Sequence, residues 1–460
     1  MKNKAAIIIP LMLGTFMAAL DSSIVNVSIP VMQRQFNVQI EVITAYMLAF
    51  CVFMPLTNWL KDKIGLYKMY LISISVFTVG SVLCGFSPSL AILIPSRVLQ
   101  ALGGGALTPV GLAMLSAAFG NEERGKIMGW WGLGVVVGPA LGPTLGGALT
   151  QYFGWPSIFF VNVPFAVLAL FLSVKNLKEI GKKADEAPPF DLTGYLFFIV
   201  FIILLQYSLG RVEKLGFSSV QLYATFAGSI ICLIFFIKTE LRKKDPVLDL
   251  SLFKSKEFVA GVLVTGGRSV ALFGGVFLLP FLFQSLMGYS ELQTGLLLLP
   301  TSVVLAIFVP LAGNYADKHG ARNITIVGLI LITVSTVQIA FLDKGSSIVS
   351  IIIPMLIRGA GLGFVFSPVS AAVINAVSKE QSATASSYYS LFMQIGGSIG
   401  ISILAIVHQY VLKYNKQQGE SPDISSHNAL KIAFLVSAGI LLIALWPALK
   451  LPKEPVKEVT

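Results

Sequence analysis

The segment NWLKDKIGLYK, residues 58–68, returns in altered form as GNYADKHGAR at residues 313–322. Each copy follows an apolar stretch, and each contains the pattern Asp-Lys-x-Gly. The two acids, Asp62 and Asp317, are 255 residues apart. A charged turn that recurs at this distance indicates a duplication within the chain.

A second pair of segments gives nearly the same distance. SRVLQALGGG at residues 96–105 and IRGAGLGFVF at residues 357–366 both place an Arg near the start of a long apolar run and follow it with glycines. Arg97 and Arg358 are 261 residues apart. Two independent landmarks with similar offsets predict two homologous halves.

Composition places both halves in a membrane. Of the 460 residues, 55% are hydrophobic and only 12% are charged, and the mean hydropathy is +0.82. Soluble domains carry about 25% charged residues. Apolar runs of about 20 residues, the length that crosses the hydrocarbon core, recur along the whole chain. The predicted fold is an all-α polytopic membrane protein with fourteen transmembrane helices, the first of which is not a cleaved signal.

The net charge of +11 is explained by topology. With both termini in the cytoplasm, the cytoplasmic segments hold 23 of the 33 Lys and Arg residues, the outer loops hold seven, and three lie within spans. Positive charge concentrates on the cytoplasmic side of membrane proteins. The charge therefore predicts orientation and gives no reason to expect a nucleic-acid partner.

The spans and landmarks divide the chain into three parts. Residues 1–175 form an N-terminal six-helix bundle, residues 257–460 form a C-terminal six-helix bundle with a short tail, and residues 176–256 hold two extra helices between charged linkers. Repeated six-span halves are the architecture of secondary transporters, which bind substrate between the halves near the bilayer midplane.

Several motifs are similar to those of one transporter family. In chain order they are LDSSIVNVSIP (20–30), NWLKDKIGLYK (58–68), RVLQALGGGA (97–106), GWWGLGVVVGPALGPTLGG (129–147), WPSIFFVNVPF (155–165), DPVLDLSLFKSKEF (245–258) and GYSELQTGLLLLP (288–300). Over essentially its full length the chain resembles the fourteen-span drug:proton antiporters of the major facilitator superfamily, the EmrB/QacA-type multidrug exporters. The resemblance implies efflux of amphipathic drugs or toxic compounds across the cytoplasmic membrane by alternating access. It also implies a monomer in membrane lipid that is driven by the proton gradient without a cofactor.

Asp21 is the only acid well inside a predicted span. Ionisable groups at that depth are costly and usually functional. Burial favours the protonated carboxyl group, whereas a neighbouring Arg favours the carboxylate. We therefore expect Asp21 to be the protonation site, with Arg97 near it directly or through Gln100, Asn26 or water. The alternative is a permanent Asp21–Arg97 pair that only holds helices together.

The fifth span is unusually rich in glycine and proline. The antiporter pattern fits at Gly129, Gly138, Gly142, Pro143, Gly146 and Gly147. Glycines at every fourth residue make a smooth strip that lets a neighbouring helix approach closely, and the prolines favour a bend. The family associates this motif with exporters, and we interpret the helix as a seal that lets the halves rock. A plain packing groove is the alternative.

The two loop motifs are candidates for conformational gating. The acid of each copy could form a charge latch with nearby helix ends, although Asn58 and Leu66 depart from the family pattern in the first copy. The gating residues in the loops are Asp62, Gly65, Asp317, Gly320 and Arg322.

The substrate cavity is predicted from span positions. Arg268 lies in the counterpart of the first span, and either contacts an anionic or zwitterionic substrate or lies at the inner mouth. Arg358 is interpreted as a structural residue that caps a helix or binds carbonyl groups. The candidate cavity residues are Asn26, Gln100, Arg268, Phe277, Phe281, Gln284, Tyr388, Phe392 and Gln394.

Other functions find less support in the sequence. A dedicated exporter of one metabolite or lipid-like compound remains an alternative, because the motifs do not separate it from a drug exporter. An enzyme would need a clustered acid/base or metal site, and no Cys or His spacing suggests a metal. ATP-driven transport would need a phosphate-binding loop with Lys, which ALGGGALTP at residues 101–109 lacks.

Overall fold

The computed structural model describes residues 4–36, 41–119, 121–180, 190–215, 219–243, 246, 248–378 and 381–454. Every regular element in these residues is a helix. The chain separates into two compact units, Met1–Asp191 with Glu291–Gly295, and Leu192–Ser290 with Leu296–Thr460.

The described residues of the first unit form eight α-helices. They are α1 (Lys4–Ile24), α2 (Ile29–Phe36), α3 (Glu41–Ile64), α4 (Leu66–Gly85), α5 (Leu90–Ala118), α6 (Asn121–Phe153), α7 (Ser157–Phe160) and α8 (Asn162–Asn176). A 3₁₀ turn, Val25–Ser28, joins α1 to α2, and α7 continues into α8 after one residue. Pro30 stands in the first turn of α2, where its missing N–H matters least.

The second unit contains the other eight. They are α9 (Leu192–Leu215), α10 (Val220–Glu240), α11 (Lys256–Pro280), α12 (Glu291–His319), α13 (Arg322–Ala340), α14 (Ile348–Asn375), α15 (Ser382–Gln417) and α16 (Pro422–Ala448). The first turn of α12 groups with the first unit. A π-helical turn, Phe281–Leu286, extends α11. The extra pair, α9 and α10, pack on each other, and Gln206 of α9 donates a 2.7 Å hydrogen bond to Ser402 of α15.

Length and composition identify the membrane spans. Among the described residues, twelve helical segments are long and apolar enough to cross a membrane, and α3 adds a shorter apolar segment, Val42–Thr57. Side chains of α6 are described only from Val137 onward, and this helix occupies the predicted fifth span. The all-α membrane fold is therefore confirmed, and the count is compatible with fourteen spans.

The two halves repeat their helix pairs. In the first unit α4 packs along α5 and α1 along α6, and in the second unit α13 packs along α14 and α11 along α15. Glycines permit the close approach. A side chain at Gly103 would meet the backbone of α4 at Ser73 and Phe77, and one at Gly361 would meet the backbone of α13 at Gly328. Small residues at such contacts are typical of membrane helix pairs.

The repeated loop motif has the same backbone shape in both halves. Gly65 has a φ of 84° and Gly320 has a φ of 80°, a conformation that side chains disfavour. Each glycine ends one helix and the next helix begins within two residues. Asp62 and Asp317 lie one turn before these glycines, and neither makes an ion pair with a residue that the structure describes.

Candidate functional site

Asp21 and Arg97 form a buried ion pair. Nη1 of Arg97 lies 2.7 Å from Oδ2 of Asp21. The exposed fraction of Asp21 is 0% and that of Arg97 is 1%. Two charges withdrawn from water are stable only when they are paired and hydrogen-bonded. The sequence placed these residues 76 positions apart, and the packing of α1 on α5 brings them together.

Gln100 connects the pair to a third helix. It stands one turn after Arg97 on α5, so both side chains leave the same helix face. Its Nε2 donates to Oδ1 of Asp21 at 2.8 Å and to the hydroxyl of Ser81 on α4 at 2.8 Å, while its Oε1 accepts from Nη1 of Arg97. A side chain at Gly80 would collide with the backbone of Gln100, so this glycine lets α4 approach.

The network also includes Asn162 and two aromatic rings. Nδ2 of Asn162, the first residue of α8, donates to Oδ1 of Asp21 at 3.2 Å. The guanidinium carbon of Arg97 lies 4.2 Å from the ring centroid of Tyr46 and 5.4 Å from that of Phe159. Such cation–π contacts stabilise a desolvated guanidinium. The carboxylate thus accepts hydrogen bonds from three side chains on two neighbouring helices.

Three members of this network were missed in the sequence. Ser81, Asn162 and Tyr46 are uncharged polar residues in spans, where such residues commonly bond to their own helix. Asn162 lies in the WPSIFFVNVPF motif, and this position is the one sequence feature that could have identified it as a functional residue. Asn26, in contrast, donates to the carbonyl oxygens of Ser22 and Ser23, and none of the hydrogen bonds of Asp21 described above comes from it.

We expect Gln100→Ala to destabilise the protein by about 1–3 kcal/mol, because it removes a buried donor from Asp21 and Ser81 and a buried acceptor from Arg97. Thermal unfolding in detergent measures the change. The matched control is Gln338→Ala, which removes an exposed amide in α13. Equal unfolding temperatures for the two variants would show that the Gln100 network contributes no stability.

The glycines of α6 face α1 beside this network. Side chains at Gly138, Gly142 and Gly146 would meet α1 at Leu20, Ser23 and Ile24. The predicted smooth strip therefore lies against the helix that carries Asp21. Gly129 and Gly134 precede the part of α6 whose side chains are described.

The last turns of α6 also contact the start of α12. A side chain at Gly147 would meet the carbonyl of Glu291, and one at Gly295 would meet the carbonyl of Pro143. Thr144 donates to the carbonyl of Gly295 at 3.1 Å. The Gly-Pro segment of α6 is thus held between α1 and the first turn of α12.

The gating residues of the second loop contact the C-terminal segment. The backbone N–H of Arg322 donates to the carbonyl of Pro452 at 3.1 Å, and a side chain at Gly320 would meet the carbonyl of Lys453. The segment that follows α16 therefore lies against the α12–α13 turn.

The predicted cavity residues of the second half form two aromatic groups. Phe277 and Phe281 are neighbours with ring centroids 5.2 Å apart, and Gln284 follows them in the π-helical turn. Tyr388 and Phe392 instead surround Phe253, at 5.2 and 6.2 Å. The members are all wholly or partly buried, as is Gln394.

Arg358 differs from its counterpart Arg97. It donates to the hydroxyl of Thr336 at 3.3 Å and to the carbonyl of Leu272 at 3.4 Å. Its guanidinium lies against Gly275, which is 254 residues after Asp21. The residue beside the Arg358 guanidinium is therefore a glycine and not an acid, and Arg358 donates to neutral oxygen atoms.

Comparisons with known proteins agree with this architecture. The sequence profile described as Major Facilitator Superfamily matches residues 11–401. The chain is 34% identical over 400 residues to the multidrug resistance protein Stp of Mycobacterium tuberculosis (strain CDC 1551 / Oshkosh), covering 86% of this chain and 74% of that protein. It is 31% identical over 450 residues to the riboflavin transporter RibZ of Clostridioides difficile (strain 630), covering 97% of both.

A solved structure shares the fold. The crystal structure of a bacterial homolog of the human lysosomal transporter Spinster, in an inward-facing and unoccupied conformation, superposes with a TM-score of 0.68 at 14% identity. The match covers 98% of this chain and 97% of that one.

Proposed function

This chain belongs to the Major Facilitator Superfamily, and we propose that it exports amphipathic drugs or toxic compounds across the cytoplasmic membrane in exchange for protons. The observation that carries the proposal is the buried Asp21–Arg97 pair with its Gln100 and Asn162 donors. A relative named as a multidrug resistance protein, 34% identical over most of this chain, supports the drug class. The chain is a transporter and not an enzyme.

The proposed coupling step is the protonation of Asp21. The carboxylate form accepts from Arg97, Gln100 and Asn162. A proton on Asp21 removes the negative charge that pairs with Arg97 and converts one oxygen into a donor, so the carboxyl group of α1 holds the three donors of α5 and α8 less strongly. The contacts among α1, α5 and α8 are thereby weakened. Protonation from the outside favours release of the substrate, and proton loss to the cytoplasm restores the binding form.

The α6 glycine strip gives this step a mechanical route. Leu20 adjoins Asp21 on α1, and Gly138 packs against Leu20 without an intervening side chain. Because the two helices are in close contact, a shift of α1 after protonation moves α6 as well.

The loop motifs at Asp62 and Asp317 are proposed to act as latches. The protein is proposed to work as a monomer in membrane lipid, with both termini in the cytoplasm.

The test uses everted membrane vesicles with an acidic interior, in which candidate compounds are added and collapse of the proton gradient is recorded. We expect several unrelated amphipathic drugs to collapse the gradient with the wild type. The same drugs should give at least a tenfold smaller response with Asp21→Asn, because the amide cannot carry the proton. The matched control is Asp423→Asn, which removes an exposed acid from an outlying ion pair with Lys344. A response of Asp21→Asn equal to that of the wild type would refute the coupling role.

A dedicated metabolite transporter is the second candidate. The relative named as a riboflavin transporter aligns over 97% of both chains, a fuller match than that of the drug-resistance relative. Riboflavin is therefore included in the compound panel. A response to riboflavin alone, with folded protein and no response to any drug, would favour this second function.

A further inference from the structure

Arg268 is a fully buried cation without an ionic partner in the described part of the chain. Its exposed fraction is 0%, and its Nε and Nη1 donors make no hydrogen bond to any residue that the structure describes. Among these residues its one polar contact is marginal, from Nη2 to the hydroxyl of Tyr389 at 3.5 Å. The ring of Phe366 lies under the guanidinium at 5.0 Å. One cation–π contact compensates only part of the cost of burying such a charge.

The surrounding helices offer no countercharge. Arg268 contacts α15 through Tyr389 and α14 through Phe366. Neither of those helices contains Asp or Glu, and the only acid of α11 is Glu257, in its first turn. Arg268 follows Glu257 by eleven residues, which is about 16 Å along the helix. These three helices therefore cannot neutralise the guanidinium from within the hydrocarbon region.

The other two buried arginines have stronger polar contacts, although Nε of Arg97 also makes no hydrogen bond to a described residue. Arg97 has the carboxylate of Asp21, and Arg358 has the Thr336 hydroxyl and a backbone carbonyl. None of the donors of Arg358 is among the buried atoms that lack a hydrogen bond in the described part of the chain. Arg268 keeps two unused donors, Nε and Nη1, and each of them forms a donor edge of the planar guanidinium together with Nη2, whose only contact in the described part of the chain is the marginal one to Tyr389. A fork of this geometry matches the two oxygens of a carboxylate, phosphate or sulfonate.

We propose that Arg268 is the anion-binding residue of the substrate site, and that the chain transports amphipathic organic anions or zwitterions whose acidic group docks on its guanidinium through the unused Nε or Nη1 donor and the weakly bonded Nη2. The inference rests on the proposed export function and specifies its substrate class. Phe366 and Tyr389 supply aromatic surface for the apolar body of the same molecule. Because the guanidinium is closed off in this conformation, the substrate reaches it when α14 or α15 moves during the transport cycle. A neutral compound leaves the buried charge unmatched and binds less tightly.

Two fluorescent probes that differ only in charge test the proposal. They are 7-diethylaminocoumarin-3-carboxylate and its primary carboxamide, titrated at equilibrium against the purified protein in lipid nanodiscs without a proton gradient. We expect the wild type to bind the carboxylate at least tenfold more tightly than the amide. Arg268→Gln should lose that preference, with the affinity for the amide changed by less than about threefold. Arg268→Lys keeps the charge without the planar fork and should retain part of the preference.

Protein stability supplies an independent readout. Since Arg268 is an unmatched buried charge, Arg268→Met should raise the unfolding temperature of the unliganded protein, and the carboxylate probe should raise that of the wild type but not that of the variant. The matched control, Arg358→Met, removes satisfied hydrogen bonds and should lower the unfolding temperature. Equal binding of the two probes by the wild type, binding of neither, or a charge preference that survives in Arg268→Gln would each overturn the proposal.

The outcome separates this inference from the export function. The probe titration needs no gradient and no turnover, so it does not depend on coupling through Asp21. If Arg268→Gln still exports neutral or cationic drugs while the probes show no charge preference, the anion site is wrong and the export function stands. If the charge preference is present but no compound collapses a proton gradient, the anion site stands and proton-driven export is wrong.

Discussion

Replacing Arg97 with methionine will destabilise the folded protein by about 3–5 kcal/mol, the usual cost of removing one partner of a buried ion pair. Asp21, with an exposed fraction of 0%, must then stay charged without its partner or take up a proton and lose its charged hydrogen bonds. Both alternatives are unfavourable. Thermal and denaturant unfolding in detergent measure the loss, and transport should be lost with it.

A double variant and a surface control make this prediction specific. Arg97→Met combined with Asp21→Asn removes both charges and should recover much of the stability without recovering transport. Arg34→Met breaks the exposed ion pair with Glu291, in which the Arg34 side chain is 64% exposed, and should cost no more than about 1 kcal/mol. If Arg97→Met is as stable as Arg34→Met, the buried pair does not hold the helices together.

The second large effect is expected at Gly138. A methyl group there would stand 2.8 Å from the backbone nitrogen of Leu20 and 2.9 Å from the carbonyl oxygen of Phe16. Backbone atoms cannot turn aside as a side chain can, so Gly138→Ala must push α1 away from α6. We expect a loss of about 1–3 kcal/mol from overpacking. Transport should fall at least tenfold, because the displaced segment of α1 carries Asp21.

The matched control for this substitution is Gly439→Ala in α16. A methyl group at Gly439 meets no atom within 4 Å. The same change should therefore be neutral, or stabilise the helix by up to about 1 kcal/mol. Unfolding temperature and gradient collapse are recorded for both variants. Wild-type transport by Gly138→Ala would contradict the proposed mechanical link between α6 and the buried pair.

The membrane fold could be predicted because hydrocarbon allows few solutions. Backbone groups in a bilayer must be satisfied within helices, so apolar length alone locates the spans. The cost of burial likewise selects Asp21, Arg97, Arg268 and Arg358 from among the charged residues. The contacts of Asn162 and Ser81 with this site depend on how the helices are rotated and how they cross. No periodic pattern in the sequence records these two quantities.

The second half shows the limit of reasoning by symmetry. Arg358 matches Arg97 in its sequence motif, but the motif does not specify the hydrogen-bond acceptor of the guanidinium. The residue that lies against Arg358 is Gly275, which offers no carboxylate. Arg268 was recognised as unusual, yet its unused donors become evident only when the neighbouring helices are in place. The sequence also does not show that Phe277 and Phe281 form one aromatic group and that Tyr388 and Phe392 belong to another. The helix packing shows it.

The matching backbone of Gly65 and Gly320 bears on how a duplicated gene can diverge. Gly65 has a φ of 84° and a ψ of 152°, a combination that is essentially reserved for glycine. Gly320 shares the positive φ and lies against the backbone of Lys453. Any substitution at either glycine would therefore strain the backbone, even if the rest of that half of the chain changed. The residues beside the two buried arginines differ, because Arg97 contacts the carboxylate of Asp21 and Arg358 lies against Gly275. Turns that require glycine therefore keep the repeat recognisable in the sequence, even where the charged contacts of the two halves differ.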